Sequence, residues 1–298
     1  MDLKQIEYFL AVVDHGGIAG AALTLGVAQP TISTGIRSLE RALGVPLFHR
    51  LGRGMVLSSA GRALLGPGRQ ILRDTAAAKY NLASTSASLV GRLDIMAMPM
   101  LGLTALAEAI AAFRALHPRV IVHIKEFRDD TAPVELIRDG HCEFVASHIP
   151  LPEAEALQSL TLTVHEYWLA YPPGTVLPPG PVPLAVLPRI PMVWLSDDRT
   201  VVARRVQHEI QKVGEAPPSA AMVEHRESRL PLVVAGVGGA VVERSTAESM
   251  AEQAVVRPIA PPLNRAMGLT FDPDRLSVVA REFLTVVRER SPFSGPPG

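Results

Sequence analysis

Apolar residues recur at helical spacing through the first quarter of the chain, then give way to short strand-like runs alternating with helical ones. Leu3, Ile6, Phe9, Leu10 and Val13 fall on one face of a first helix that ends near Gly16-Gly17. Ile18 to Leu25 forms a second, short helix of mostly small residues, and Gly26-Val27 is the turn after it, because glycine accepts the positive φ that stops a helix. A third helix runs from about Gln29 to Leu43, with Pro30 in its first turn, where a missing N–H costs nothing. Ile32, Ile36, Leu39 and Leu43 make its buried stripe, which leaves Thr31, Ser33, Thr34 and Arg37 facing outward beyond Gln29 and Pro30 at its leading end. Such a surface fits a DNA major groove.

Two short apolar runs, Val45 to Arg50 and Met55 to Leu57, flank Leu51-Gly52-Arg53-Gly54 and read as a hairpin wing. Arg50 and Arg53 sit at its tip, placed for phosphates or a minor groove. Ser58 can then cap a long helix reaching about Ser88, whose narrow seam of Leu64, Ile71, Ala78 and Leu82 predicts pairing with the same helix of a second chain. Gly66-Pro67-Gly68 interrupts it, so a kink is expected near Pro67, the alternative being two separate helices. Ala83 to Ser88 suits a hinge.

From Gly91 onward, strands at Leu93–Met98, Val120–Lys125 and Phe144–Ser147 alternate with helices at Thr104–Leu116 and Val134–Arg138. A second set follows, with strands near His165–Tyr171, Met192–Leu195, Ala220–Val223 and Ala240–Glu243. Its helices are Thr200–Val213, one starting at Pro231 and one near Thr246. A strand at Ala266–Phe271, a helix from Leu276 to about Arg290 with Val279, Phe283 and Val286 on one face, and a disordered tail from Ser291 to Gly298 complete the chain. That alternation predicts a mostly parallel α/β sheet with helices on its faces.

Composition narrows the picture. The 298 residues have zero formal net charge, so attraction to nucleic acid must be local. Residues 1–65 carry six cations (Lys4, Arg37, Arg41, Arg50, Arg53, Arg62) against four anions (Asp2, Glu7, Asp14, Glu40), a net charge of +2. Modest non-specific affinity and a shallow salt dependence per monomer follow. Cys142 is the only cysteine, which rules out an intrachain disulfide. The start resembles no signal peptide and no apolar run has membrane-spanning length, so a cytoplasmic protein without a membrane partner is expected.

The chain resembles the LysR-type transcriptional regulators. The likeness rests on Leu3…Phe9-Leu10-Ala11-Val12, Ala21-Ala22…Leu25…Val27, Gln29-Pro30…Ser33, Ile36…Leu39-Glu40, Leu43-Gly44-Val45-Pro46-Leu47-Phe48-His49-Arg50 and Leu57-Ser58…Ala60-Gly61. Three departures stand out: Gly20, where a basic or polar residue is common, Ala28 where the family has a hydroxyl, and Thr34 where it has a cation. Ala28 forfeits an N-cap bond of about 1 kcal/mol, and Gly35 inside the helix costs up to about 1 kcal/mol relative to alanine.

The resemblance implies a winged helix-turn-helix DNA-binding domain over 1–58, a linker and dimerisation helix with hinge over 59–90, and an effector-binding domain over 91–298. The last would be a two-lobed α/β fold like the periplasmic binding proteins, lobe I spanning about 91–160 and 266–290 and lobe II about 161–265. It further implies a homodimer or homotetramer on double-stranded DNA, a small-molecule effector and contact with RNA polymerase.

No metal or cofactor is expected. His141-Cys142-Glu143 reads as a turn with incidental polar residues, and Gly236-Val237-Gly238-Gly239 as a helix stop lacking the dinucleotide fingerprint. No nucleophile elbow, P-loop or His-Glu-x-x-His occurs, which disfavours an enzyme. Ligands in open α/β sheets gather at strand C-termini, which selects Pro99, Met100, Leu101, His148, Ser196, Arg199, Thr200, His225 and Arg226. Ser196, Thr200 and Arg199 would hold a small organic acid against an apolar wall of Met100 and Leu101. A ligand-independent architectural DNA binder is the rival reading.

Overall fold

The computed structural model describes residues 1–51, 54–82, 89–98, 103–127, 133–151, 154–184, 187, 189–196, 208 and 217–290. Helix α1 (Leu3–Asp14) opens on a capping box in which Asp2 accepts from the Gln5 amide and the Gln5 side chain accepts from the Asp2 amide. Helix α2 (Ile18–Leu25) stops at Gly26, whose φ of 64° is left-handed, and α3 (Gln29–Leu43) follows. Ile6, Phe9, Leu10, Leu39, Leu47 and Leu65 form one core of this domain; Ala11, Val12, Ala21, Ala22, Ile32 and Ile36 form a second.

The patterning errs at two positions of α3. Leu43, expected in the buried stripe, is 37% exposed, because Gly44 ends the helix and Leu47 from the next segment fills the core instead. Gly35 is required by packing: a Cβ there would stand 2.5 Å from Cδ2 of Tyr8, so the gain in helix propensity from alanine meets a steric cost.

Strands β1 (Phe48–Leu51) and β2 (Gly54–Leu57) pair antiparallel, with Arg50 opposite Met55. Ser58 caps α4 (Ser59–Leu82) by accepting from the Gly61 amide at 2.9 Å, and the helix runs unbroken through Pro67. The predicted seam is divided. Leu64 and Ile71 pack half-buried against the core of their own DNA-binding domain, Ala78 is exposed, and the side chain of Leu82 lies outside the described residues. The expected hinge at 83–88, helix at 200–213 and tail at 291–298 are also outside them, apart from His208.

The sheet is mixed, which corrects the mostly parallel expectation. Strand β3 (Gly91–Ala97) pairs parallel with β4 (Val120–Glu126) and β5 (Phe144–His148), covered by α5 (Leu103–Leu116) and followed through α6 (Pro133–Arg138). Strands β6 (Gln158–Tyr171) and β11 (Val255–Phe271) are far longer than their predicted cores at His165–Tyr171 and Ala266–Phe271. They form an antiparallel pair that runs from β5 on one side to β10 (Ala240–Glu243) on the other. Both crossings between the lobes are therefore continuous strands. Pro261 and Pro262 are tolerated in β11 because the ladder to β6 breaks between Pro258, opposite Trp168, and Leu263; within the break β7 (Val182–Pro183) pairs with Ile259 and Ala260 instead.

In the far lobe β8 (Met192–Leu195) pairs parallel with β9 (Ser219–Val223). A 3-10 turn at Arg226–Ser228, then α7 (Arg229–Val234), Gly236 at φ 89° and α8 (Arg244–Ser249) surround β10, so the glycine run is a helix stop. Helix α9 (Val278–Arg290) returns to the first lobe and buries Val279, Phe283 and Val286. No single helix among the described residues is long and apolar enough to cross a membrane.

Candidate functional site

The N-terminal surface presents α3 much as its spacing requires. Gln29, Pro30, Thr31, Thr34 and Arg37 are exposed and Ser33 is half-buried. Ala28 supplies no side-chain cap to α3; its backbone carbonyl accepts from the Thr31 amide at 2.9 Å. Arg37 is braced along the helix, its Nη2 donating to Ser33 Oγ at 3.0 Å and its Nε to the Ser33 carbonyl at 3.3 Å.

The wing is tied to α3 by Glu40, which the sequence showed as one of four acidic residues in the first 65 and as part of the family pattern, with no structural partner. Glu40 Oε1 accepts from the Leu47 and Phe48 amides at 2.8 and 3.4 Å, which fixes where β1 begins. Arg50 is exposed on β1; Arg53 lies outside the described residues.

A second polar group lies on the strands that cross between the lobes. His148 ends β5 and is 1% exposed, its Nε2 2.9 Å from the Tyr167 hydroxyl. His165, two residues earlier on β6 and so on the same face, sets its ring against His148 with centroids 5.8 Å apart. Its Nδ1 is 3.5 Å from Glu243 Oε1 at the end of β10. The Nδ1 atoms of His148 and His165 are buried without a hydrogen-bond partner.

Burial, reinforced by the positive charge of Arg265 and by His165 and Arg226, pushes the His148 imidazole down to about 2. Burial also lowers His165 and raises Glu243, the latter opposed by Arg226 and Arg229. The unfolded chain protonates His148 near 6.5 while the folded chain keeps it neutral. Its contribution to stability is thus present above 6.5 and lost as pH falls below that value. Between pH about 7 and about 4, the denaturant midpoint should fall more steeply in wild type than in His148→Gln, and equal slopes would rule out a buried neutral His148.

Of the cleft residues selected by the strand-end rule, His148 and Arg226 come together, since Arg226 acts electrostatically on both His148 and Glu243. Ser196 stands half-buried at the end of β8, its amide donating to the Val223 carbonyl at 2.8 Å. His225 is exposed before the 3-10 turn. Pro99, Met100, Leu101, Arg199 and Thr200 lie outside the described residues. Sequence reasoning missed Tyr167, His165, Glu243 and Arg265; the signal was a polar residue at every second position of an otherwise apolar strand.

Comparison with known proteins agrees with this geometry. Residues 3–62 match the family model of the bacterial regulatory helix-turn-helix proteins of the lysR family, and residues 86–292 match that of the LysR substrate binding domain. The chain belongs to the LysR family. Among relatives of this regulator, the HTH-type transcriptional regulator TfdS of Cupriavidus pinatubonensis is 26% identical over 97% of this chain and 98% of its own length. A full-length OxyR variant from Pseudomonas aeruginosa shares the fold with a TM-score of 0.70 at 20% identity, over 99% of this chain and 100% of that one. CbnR complexed with its target DNA gives 0.63 at 23% identity, over 97% and 99%. The regulator thus joins a DNA-binding domain to an effector-binding domain, and its relatives are transcriptional regulators rather than enzymes.

Proposed function

We propose that this regulator reads operator DNA with Gln29, Pro30, Thr31, Ser33, Thr34 and Arg37, supported by Arg50 and Arg53 on the wing, under control of a small organic acid bound between the lobes. The observation that carries the effector reading is the pair of buried ring nitrogens on His148 and His165 that make no hydrogen bond, beside Arg226 and Arg265. Neutral imidazoles can donate to a carboxylate without bringing a second charge, and the two guanidiniums supply the balancing positive field. Ser196, His225, Arg199 and Thr200 complete the polar side, and Pro99, Met100 and Leu101 an apolar one.

The division at 58 and 90, the lobe limits near 160 and 266, pairing of chains through α4 into a homodimer and then a homotetramer, action in the cytoplasm and contact with RNA polymerase belong to the same proposal. CbnR bound to its target DNA supports the duplex as partner. The effector would favour one closure of the lobes and shift the readers only by its differential affinity for the two closures.

Fluorescence anisotropy on the regulator's upstream DNA and a scrambled fragment, over a salt series and with a panel of small organic acids, tests it. Selective binding, a shallow salt slope and a response to an acid that Arg226→Ala abolishes are expected. Equal affinity for both fragments would favour an architectural protein, and a response unchanged in Arg226→Ala would remove the organic-acid assignment.

A further inference from the structure

Gly66-Pro67-Gly68 lies inside the continuous helix α4, where it fits two different neighbours. Positions two apart on a helix point to nearly opposite sides, and here each glycine admits a different neighbour. Gly68 lies against Ile6 and Leu10 of α1; Gly66 lies against the turn that ends α6, where an added Cβ would collide with the Arg138 carbonyl oxygen. The linker helix is thus wedged between the DNA-binding domain and the first lobe of the effector domain.

The turn from Arg138 to Glu143 leaves three carbonyls beyond the last bonds of α6, and three arginines meet them. Arg275 donates to the Arg138 carbonyl at 2.7 Å, Arg69 to that of Asp139 at 2.6 Å and Arg73 to that of Gly140 at 2.9 Å. Arg69 also pairs with Asp14 at the end of α1, so one guanidinium joins three parts of the chain. Arg73 Nε stands 4.0 Å from Glu143 Oε1, and that Nε and Glu143 Oε2 are buried without hydrogen-bond partners. Glu143 is anchored from the other side by the Ser277 amide at 2.8 Å. Of the three polar residues read as incidental, Glu143 is therefore tied into the fold.

We propose that Arg69 and Arg73 form a clasp that holds the linker helix and the DNA-binding domain against the first lobe, with Gly66-Pro67-Gly68 as the joint about which they separate. The pairing between Arg73 and Glu143 is loose enough for a small rotation of α4 to close or release it. Glu143 leads directly into β5, a fully buried strand of five residues that ends at His148. On the cleft reading given above, a ligand at His148 and the clasp are two ends of one strand about 16 Å long.

The test needs no effector, so its result is independent of what the cleft binds. Spin labels at Ala42→Cys on α3 and Glu108→Cys on α5, both exposed, report the distance between the two domains within one chain. Labelled full-length protein is diluted into excess unlabelled chain to suppress distances between chains. Cys142 is buried and its thiol is pushed up to about 12, so it stays unlabelled. A single narrow distance population is expected for the otherwise wild-type protein and its loss in R69A/R73A. The variant G66A, which favours the helix but wedges the joint, should lose it too, and covers the case in which the double variant does not fold. Retention of the wild-type distribution by either folded variant overturns the clasp.

Discussion

Alanine at Arg37 is expected to weaken binding to the specific operator by about thirtyfold to about 25,000-fold while changing affinity for scrambled DNA far less. A bidentate arginine–base contact discriminates by about 1–3 kcal/mol, and two readers of a dimer would each lose one. The side chain is exposed and already oriented by its two bonds to Ser33, so little entropy remains to be lost on docking. Removal of an exposed side chain leaves stability within about 0.5 kcal/mol, which separates a binding defect from an unfolded domain. Anisotropy titrations on both DNAs at one salt concentration, with a thermal melt beside them, decide the matter. Equal weakening on the two DNAs would make Arg37 a phosphate contact and remove it from base readout.

Phe283→Ala should be the most destabilising single change in the effector domain, at about 3–5 kcal/mol. Phe283 is 0% exposed, edge-on to Phe113 and Phe144 at centroid distances of 5.3 and 5.4 Å, so truncation leaves a cavity walled by rings that helix and sheet hold apart. The loss is a large share of the about 5–15 kcal/mol that holds a domain folded. The DNA-binding domain has its own core around Phe9, Leu39 and Leu65, so calorimetry should show the effector-domain transition moving down while specific DNA affinity survives. A shift corresponding to less than about 1 kcal/mol would mean the cavity collapses and the ring contacts contribute little.

Most of the DNA-binding domain was legible before any coordinates, and its exceptions share one cause. Helices α1 to α3 rest on periodicity, caps and a left-handed glycine, all written within a few residues of where they act. Gly35 and Gly66 looked like weak points in helices because their reasons, the Tyr8 ring and the Arg138 carbonyl, come from elsewhere in the fold. Glu40 was visible as a charge and as part of the family pattern, but its tie to the wing amides appears only in the fold.

In the effector domain the same divide runs through the cleft. His148 could be found because strand ends are local features, whereas Tyr167 and Glu243 become partners only when β6 and β10 pair. The length of β6 and β11 was hidden for a related reason. Burial along a strand that passes between two lobes follows its changing neighbours, and prolines read locally as breaks. What the sequence by itself determined is what short-range forces decide: helix stripes, turns, caps and the order of elements. Register, close approach and the pairing of distant charges were decided only by the tertiary structure, because each depends on which remote segment fills the space beside a residue.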